Sequence, residues 1–227
     1  MLSLATCHPR QASLRSEESV TSLFPMFLKL QGKRVLVVGA GQVGEPKIAA
    51  LLETGARIRV VALGASPAVR GWADAGKIEL DLRGFSPDDL SGIFLAVVAT
   101  SSRSLNERIY GEAQQRGVLC NVVDVPDLCN FFYPSVVRRG DLQIAISTSG
   151  QSPSLAQRIR HQLEQQFGPG YAAWVAELGE TRRLILASNL DRERKLDLLH
   201  SLVSREAAQA AIAEAHTGEL ATIGENK

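Results

Sequence analysis

The chain has 227 residues, 45% hydrophobic and 22% charged, which excludes a wholly disordered, collagen-like or disulfide-stapled protein and leaves room for one large domain or two small ones. With 25 basic against 24 acidic side chains the net charge is +1, so no global field recruits nucleic acid or an anionic membrane, and an anionic ligand must be met locally. No apolar run approaches the roughly 20 residues of a membrane-spanning helix. Three cysteines without C-x-x-C spacing (Cys7, Cys120 and Cys129) point to a reducing compartment, the cytoplasm, rather than to disulfides or a structural zinc.

Residues 1–22 mix Arg10, Arg15, several serines and the Glu17-Glu18 pair without the apolar stretch of a signal peptide, and read as a disordered extension. From Lys33 onward, short β-branched runs alternate with amphipathic stretches. Strands are expected at 34–38, 57–62, 77–81, 93–99 and 118–123, and helices at 43–54, 66–75 and 102–116. Gly55, Gly76 and Gly117 stand where helix C-caps belong. This alternation predicts a parallel sheet covered on both faces. After Pro134 the pattern changes to one more strand at 141–147, a helix at 152–167, and helices at 171–187, 191–202 and 205–215, with a frayed end.

Directly after the first strand stands Gly39-Ala40-Gly41-Gln42-Val43-Gly44, a G-x-G-x-x-G that opens a helix and is followed by a second strand. In that context the first glycine permits a tight turn, the second lets backbone approach a pyrophosphate, and the third allows close packing of helix on strand. The fingerprint predicts dinucleotide binding; the alternative is a glycine-rich packing turn. The acid expected after the second strand is missing, replaced by Ala62-Leu63-Gly64-Ala65, and no arginine follows immediately, so these residues do not choose between NAD and NADP.

The ends of the fourth and fifth strands, with Thr100 and with Asn121-Val122-Val123-Asp124, fall on the carboxyl edge where such sheets bind ligands. Asp124, flanked by valines, is expected to be partly desolvated and so suited to accept a proton; the alternative is a turn or helix cap. Between Tyr133 and His161 lie Arg138, Arg139, Arg158 and Arg160 against one acid, Asp141, a set suited to a ligand with several carboxylates or else plain surface charge. The hydroxyls of Ser147, Thr148, Ser149 and Ser152 before Pro153 serve either to cap the following helix or to bind an anion.

Taken together, the Leu23–Leu28 run, the glycine loop, Ala99-Thr100, Leu105-Asn106, Cys120–Asp124, Phe131–Pro134, Ile144–Pro153 and the helix bearing Arg158 and Arg160 resemble the NAD-dependent precorrin-2 dehydrogenases of siroheme synthesis, some of which are also sirohydrochlorin ferrochelatases. The resemblance covers roughly residues 23–200. It implies an α/β protein with a Rossmann-type parallel sheet at 23–134, a small α+β dimerisation domain at 135–170, a helical C-terminal region at 171–216 and a flexible tail at 217–227, assembled as a homodimer. It makes Asp124 the catalytic aspartate and Gln42, Val43, Leu63 and Gly64 contacts to NAD, beside Gly39, Gly41, Gly44 and Thr100. Thr148 falls where the multidomain siroheme synthases carry a phosphorylatable serine. The departures are Pro46 for a common arginine, Ser101-Ser102 for an acidic pair, and Ser149 where glycine is frequent.

The implied reaction sends hydride from precorrin-2 to NAD+ and a proton to Asp124, giving sirohydrochlorin. Asn121, the four arginines, Thr148 and Ser152 would meet the substrate and Phe131 with Phe132 would cover its macrocycle. A bifunctional form would also insert Fe2+ as a substrate, although the histidines form no recognisable metal cluster. A further rival, an NAD(H)-sensing module without chemistry, lacks a basic helix-turn-helix in this sequence. The methyltransferase domain of the fused synthases, a stretch of about 250 residues, is expected to be absent.

Overall fold

The computed structural model describes residues 23–204, so the expected extension, the helix at 205–215 and the tail lie outside the described residues. Contacts divide the chain into a unit at 27–134 and a second unit that holds 135–204. In the first, β1 (Arg34–Ala40), β2 (Arg57–Ala65), β3 (Glu79–Leu82), β4 (Leu95–Val98) and β5 (Leu119–Val122) form one parallel sheet in the order β3-β2-β1-β4-β5. The crossovers carry α1 (Gly44–Leu52), α2 (Pro67–Asp74) and α3 (Arg103–Gln115).

Alternation along β1 explains the layering. Val35 and Val37 join Ile48 and Leu51 of α1 and Val69 of α2 in one buried cluster, while Leu36 and Val38 join Ile109 and Ala113 of α3 in another. Two of the three helix starts are capped by a serine: Ser66 accepts from the Val69 N–H of α2 and Ser102 from the Leu105 N–H of α3. The three expected C-cap glycines all have positive φ. The second strand runs three residues beyond its expected end, because Gly64 and Ala65 keep extended backbone and Ala65 pairs with Ala40 after a register shift in β1.

The second unit starts with a strand that the sequence reading did not include. β6 (Ser135–Arg139) pairs antiparallel with β7 (Leu142–Ile146) across the Gly140 turn. Its Arg138-Arg139 end breaks the apolar run by which strands were recognised, yet Val136 and Val137 pair with Ala145 and Ile144. Then follow α4 (Pro153–Gln166), α5 (Tyr171–Ala187) and α6 (Arg192–Leu202). The rings of Phe167, Tyr171 and Trp174 meet edge-on at 5.0 and 5.5 Å and join α4 to α5. Among the described residues of this unit, Val137 and Ala156 are the buried hydrophobics.

A charged cluster closes the β2–β3 edge. Arg83 grips Asp89 with both nitrogens at 2.9 and 2.5 Å, Arg59 donates to Asp81 at 2.8 Å, and the Ser86 N–H donates to Asp89 at 2.8 Å. Asp89 is only 3% exposed, and the Arg83 bonds, helped by Ser86 and Arg59, hold its carboxyl below the usual range against the opposing effect of burial. Asp89→Asn should therefore cost about 1–3 kcal/mol in urea unfolding at neutral pH. Because the folded pKa is depressed, that stability is complete above the ordinary carboxylate value of roughly 4 and is lost as pH falls through the folded value, so the gap between variant and parent should close in acid.

Candidate functional site

The strand order reverses direction between β1 and β4, and the crevice outside their carboxyl ends is where open sheets of this type bind ligands. The glycine loop fills its near wall. Gly39 has φ +102, and a Cβ there would sit 2.2 Å from the Ala99 carbonyl oxygen. A Cβ on Gly44 would sit 2.2 Å from the Gly39 carbonyl oxygen. Gly41 differs: a Cβ there meets nothing within 4 Å, and the residue is exposed. Two glycines thus serve the packing of the turn and the third leaves backbone open beside the start of α1, which has no side-chain cap. That combination fits a dinucleotide pyrophosphate. Gln42 and Val43 are exposed at the same helix start, and at the end of β2 Leu63 is 87% exposed beside an open Gly64.

Thr100 has internal work at the end of β4. Its hydroxyl donates to Asn106 Oδ1 at 2.6 Å, and the Asn106 amide returns a bond to the Thr100 carbonyl at 3.1 Å. Asn106 was not among the expected site residues, although its position in the helical series with Ile109 and Ala113 marks it as a core-facing polar group.

At the end of β5 the expectation for Asp124 changes. The residue is exposed, not desolvated, because the chain leaves the sheet after Val122 in a turn that puts Asp124 at φ +62 and turns it away from the flanking valines. Asn121, expected to meet substrate, is 6% exposed and its amide is taken by the Phe131 carbonyl at 2.8 Å and Cys129 Sγ at 3.3 Å. Phe131 packs on the sheet core and meets Tyr133 edge-on at 5.7 Å, which leaves Phe132 as the more exposed ring. Lys47 of α1 lies over the Tyr133 ring at 4.2 Å, and burial pushes the Tyr133 hydroxyl up to about 12.

In the second unit the four arginines are not equivalent. Arg139 donates to the carbonyls of Phe167 at 2.8 Å and Glu164 at 3.1 Å, so it closes the C-terminus of α4 rather than offering its fork to an anion. Arg160 pairs with Glu164 one turn on, an acid three residues beyond the window in which only Asp141 had been counted. Arg138 and Arg158 are exposed. Ser152 caps α4 through the Leu155 N–H at 3.2 Å, and the Thr148 hydroxyl accepts from the Ser152 N–H at 3.1 Å, so the capping reading accounts for both. Ser149 has φ +51, a left-handed conformation that glycine adopts without strain. Among the described residues no group of three or more His, Cys, Asp or Glu could hold a metal ion, and no helix is long and apolar enough to cross a membrane.

Residues 26–135 match the family model described as "Putative NAD(P)-binding", and residues 139–166 that described as "Sirohaem biosynthesis protein central". A siroheme synthase of Nitrosococcus oceani is 40% identical over 65% of this chain and 31% of its own length, and one of Ectopseudomonas mendocina is 42% identical over 70% and 34%. The chain therefore spans about a third of the length of these curated relatives. A solved structure titled "SirC, precorrin-2 dehydrogenase" superposes with a TM-score of 0.73 at 29% identity, covering 85% of this chain and 96% of that one.

The glycine geometry separates folding from binding. Gly44→Ala should destabilise the protein by about 3 kcal/mol in denaturant titration, since backbone must move to admit the methyl. Gly41→Ala should change stability by no more than about 1 kcal/mol, since its methyl meets nothing within 4 Å, while weakening NAD on the order of tenfold or more by fluorescence titration if the loop backbone holds the pyrophosphate.

Proposed function

Because the chain belongs to the family of the N-terminal region of siroheme synthases, we propose that it catalyses the NAD-dependent dehydrogenation of precorrin-2 to sirohydrochlorin. The observation that carries the reading is the pairing, within one unit, of an open glycine loop at the β1–β4 crevice with an exposed carboxylate, Asp124, at the end of the neighbouring strand β5. When bound, NAD+ supplies the hydride acceptor.

The chain's own residues have simpler tasks. The Gly39–Gly44 backbone and the first N–H groups of α1 hold the pyrophosphate, while Gln42, Val43, Leu63 and Gly64 border the rest of the dinucleotide. The Thr100–Asn106 pair fixes the floor of the crevice. Asp124, an exposed carboxylate, takes the proton released as the substrate is oxidised. Arg138 and Arg158, two of the exposed cations of the second unit, are suited to substrate carboxylates.

A second copy of the chain completes the proposal. The helices α5 and α6 bury no residue, and Leu184 is 64% and Val203 57% exposed, with Leu186, Leu190 and Leu196 also open. Apolar surface of this kind favours association, and sedimentation velocity should give a dimer, with Leu184→Glu shifting it toward monomer. The free thiols of Cys120 and Cys129 suit a cytoplasmic setting.

The central test is NADH formation on anaerobic mixing of protein, precorrin-2 and NAD+, with an enzyme-free control. The parent should exceed the control clearly. Asp124→Asn should bind NAD normally and lose at least about a hundredfold in kcat, because asparagine tolerates the left-handed backbone but accepts no proton. A variant as fast as the parent would remove Asp124 from the reaction. Sirohydrochlorin with Fe2+ and no NAD, followed for siroheme, checks metal insertion in the same preparation.

A further inference from the structure

Asp124 occupies a left-handed backbone conformation that a residue with a side chain keeps only where its surroundings over-determine it. Its neighbours Val123 and Val125 have no polar side chain to do so. Beyond the turn's own bond from the Val125 N–H to the Val122 carbonyl, a second restraint comes from farther along the chain, where a short 3-10 turn (Pro126–Leu128) brings Cys129 back against the end of β5 as an isolated bridge to Asn121. Cys129 Sγ lies 3.2 Å from the Val122 carbonyl oxygen and 3.2 Å from that of Val125. Those two carbonyls bracket Asp124 on either side, so one S–H, shared between them, ties both ends of its turn.

The sulfur is itself held. The Asn121 amide donates to it at 3.3 Å and to the Phe131 carbonyl at 2.8 Å. Asn130 anchors the far side of the loop by accepting from the Cys120 N–H at 3.1 Å and from the Gln114 amide at 2.8 Å. Burial raises the pKa of the Cys129 thiol, which keeps the proton it donates. Neither tied carbonyl depends on the thiol for a partner, since Val122 accepts from the Val125 N–H and Val125 from the Leu128 N–H. Removing the thiol therefore leaves the turn's own backbone bond in place and takes away only the added tie through the sulfur.

We infer that Cys129 is a positioning residue, its sulfur oriented by Asn121, that fixes the Asp124 carboxylate for proton transfer. The inference rests on the role proposed for Asp124 above. A misplacement of about 1 Å at a reacting group can cost on the order of a hundredfold in rate, so a weak bond placed here has a kinetic effect larger than its share of stability.

The experiment uses the full chain and measures kcat for NADH formation, KM for precorrin-2 and NAD affinity for Cys129→Ala, Cys129→Ser, Asn121→Asp, Asp124→Asn and the Cys129→Ala/Asp124→Asn double variant. Cys129→Ala should lower kcat by about ten- to a hundredfold with NAD affinity within about twofold. Cys129→Ser should recover most of the loss, because a hydroxyl donates from the same place, and the double variant should be no slower than Asp124→Asn alone. Asn121→Asp removes both donors at constant size and should reproduce the kcat loss, carrying the decision if Cys129→Ala does not fold. A normal kcat in Cys129→Ala beside an inactive Asp124→Asn overturns the positioning role while leaving that of Asp124 intact. The same fold-loss in both backgrounds overturns it too, since the thiol would then act on the whole site. A fully active Asp124→Asn overturns both readings together.

Discussion

In the first unit, backbone is packed on backbone at the one place where side chains would keep it apart. β1 and β4 run side by side from Val35 against Leu95 to Val38 against Val98, and the Ala99 N–H closes the ladder on the Val38 carbonyl at 2.8 Å. The strand then shifts register at Gly39, with φ +102 and room for no Cβ against Ala99, before Ala40 pairs with Ala65 and the chain leaves the sheet. α1 returns over the same spot so tightly that Gly44 has no room either. A side chain at either position would lever the end of β1 away from β4 and open the crevice that the sheet order creates there. The Thr100–Asn106 pair then holds the β4 side of the crevice, and β5, registered from Leu119 against Leu95 to Val122 against Val98, delivers its own end to the same edge.

Much of this was legible because it follows from period and punctuation. Near-continuous apolar runs of four or five residues mark strands covered on both faces, and Gly55, Gly76 and Gly117 mark where helices stop. The packing roles of Gly39 and Gly44 were legible for the same reason, and the structure leaves no room for a Cβ at either. What escaped the reading was decided by partners distant in sequence. Apolar neighbours suggested that Asp124 would be desolvated, but burial of Val122 and exposure of Asp124 are separated by a turn closed by the Val125 N–H and contacted by Cys129, several residues away. Asn121 looked like a ligand contact because it lies near the carboxyl edge of a strand; its amide instead belongs to the loop that returns at Cys129 and Phe131.

The arginines show the same limit in electrostatic form. Counting charge along a window treats every cation as available, whereas availability depends on what the fold places within hydrogen-bond reach. Arg139 lies on a strand, next to the two-residue turn, and finds the open carbonyls at the end of α4, which need donors whether or not a ligand is near. Arg160 meets Glu164 because residues four apart share a helix face. Of four cations equal in composition, two are thus committed to helix α4 itself, and only exposed ones can change partners without cost to the fold.

The two units also differ in how they obtain stability. The first encloses two clusters of buried side chains on opposite faces of its sheet, enough to hold a strained residue such as Asp124 in one geometry. The second buries Val137 and Ala156 among its described residues and leaves a series of leucines on α5 and α6 open. A core that small supplies little against the entropy of ordering some seventy residues, at about 1–2 kcal/mol per residue for the backbone alone. Apolar surface left open in this way favours burial against another surface.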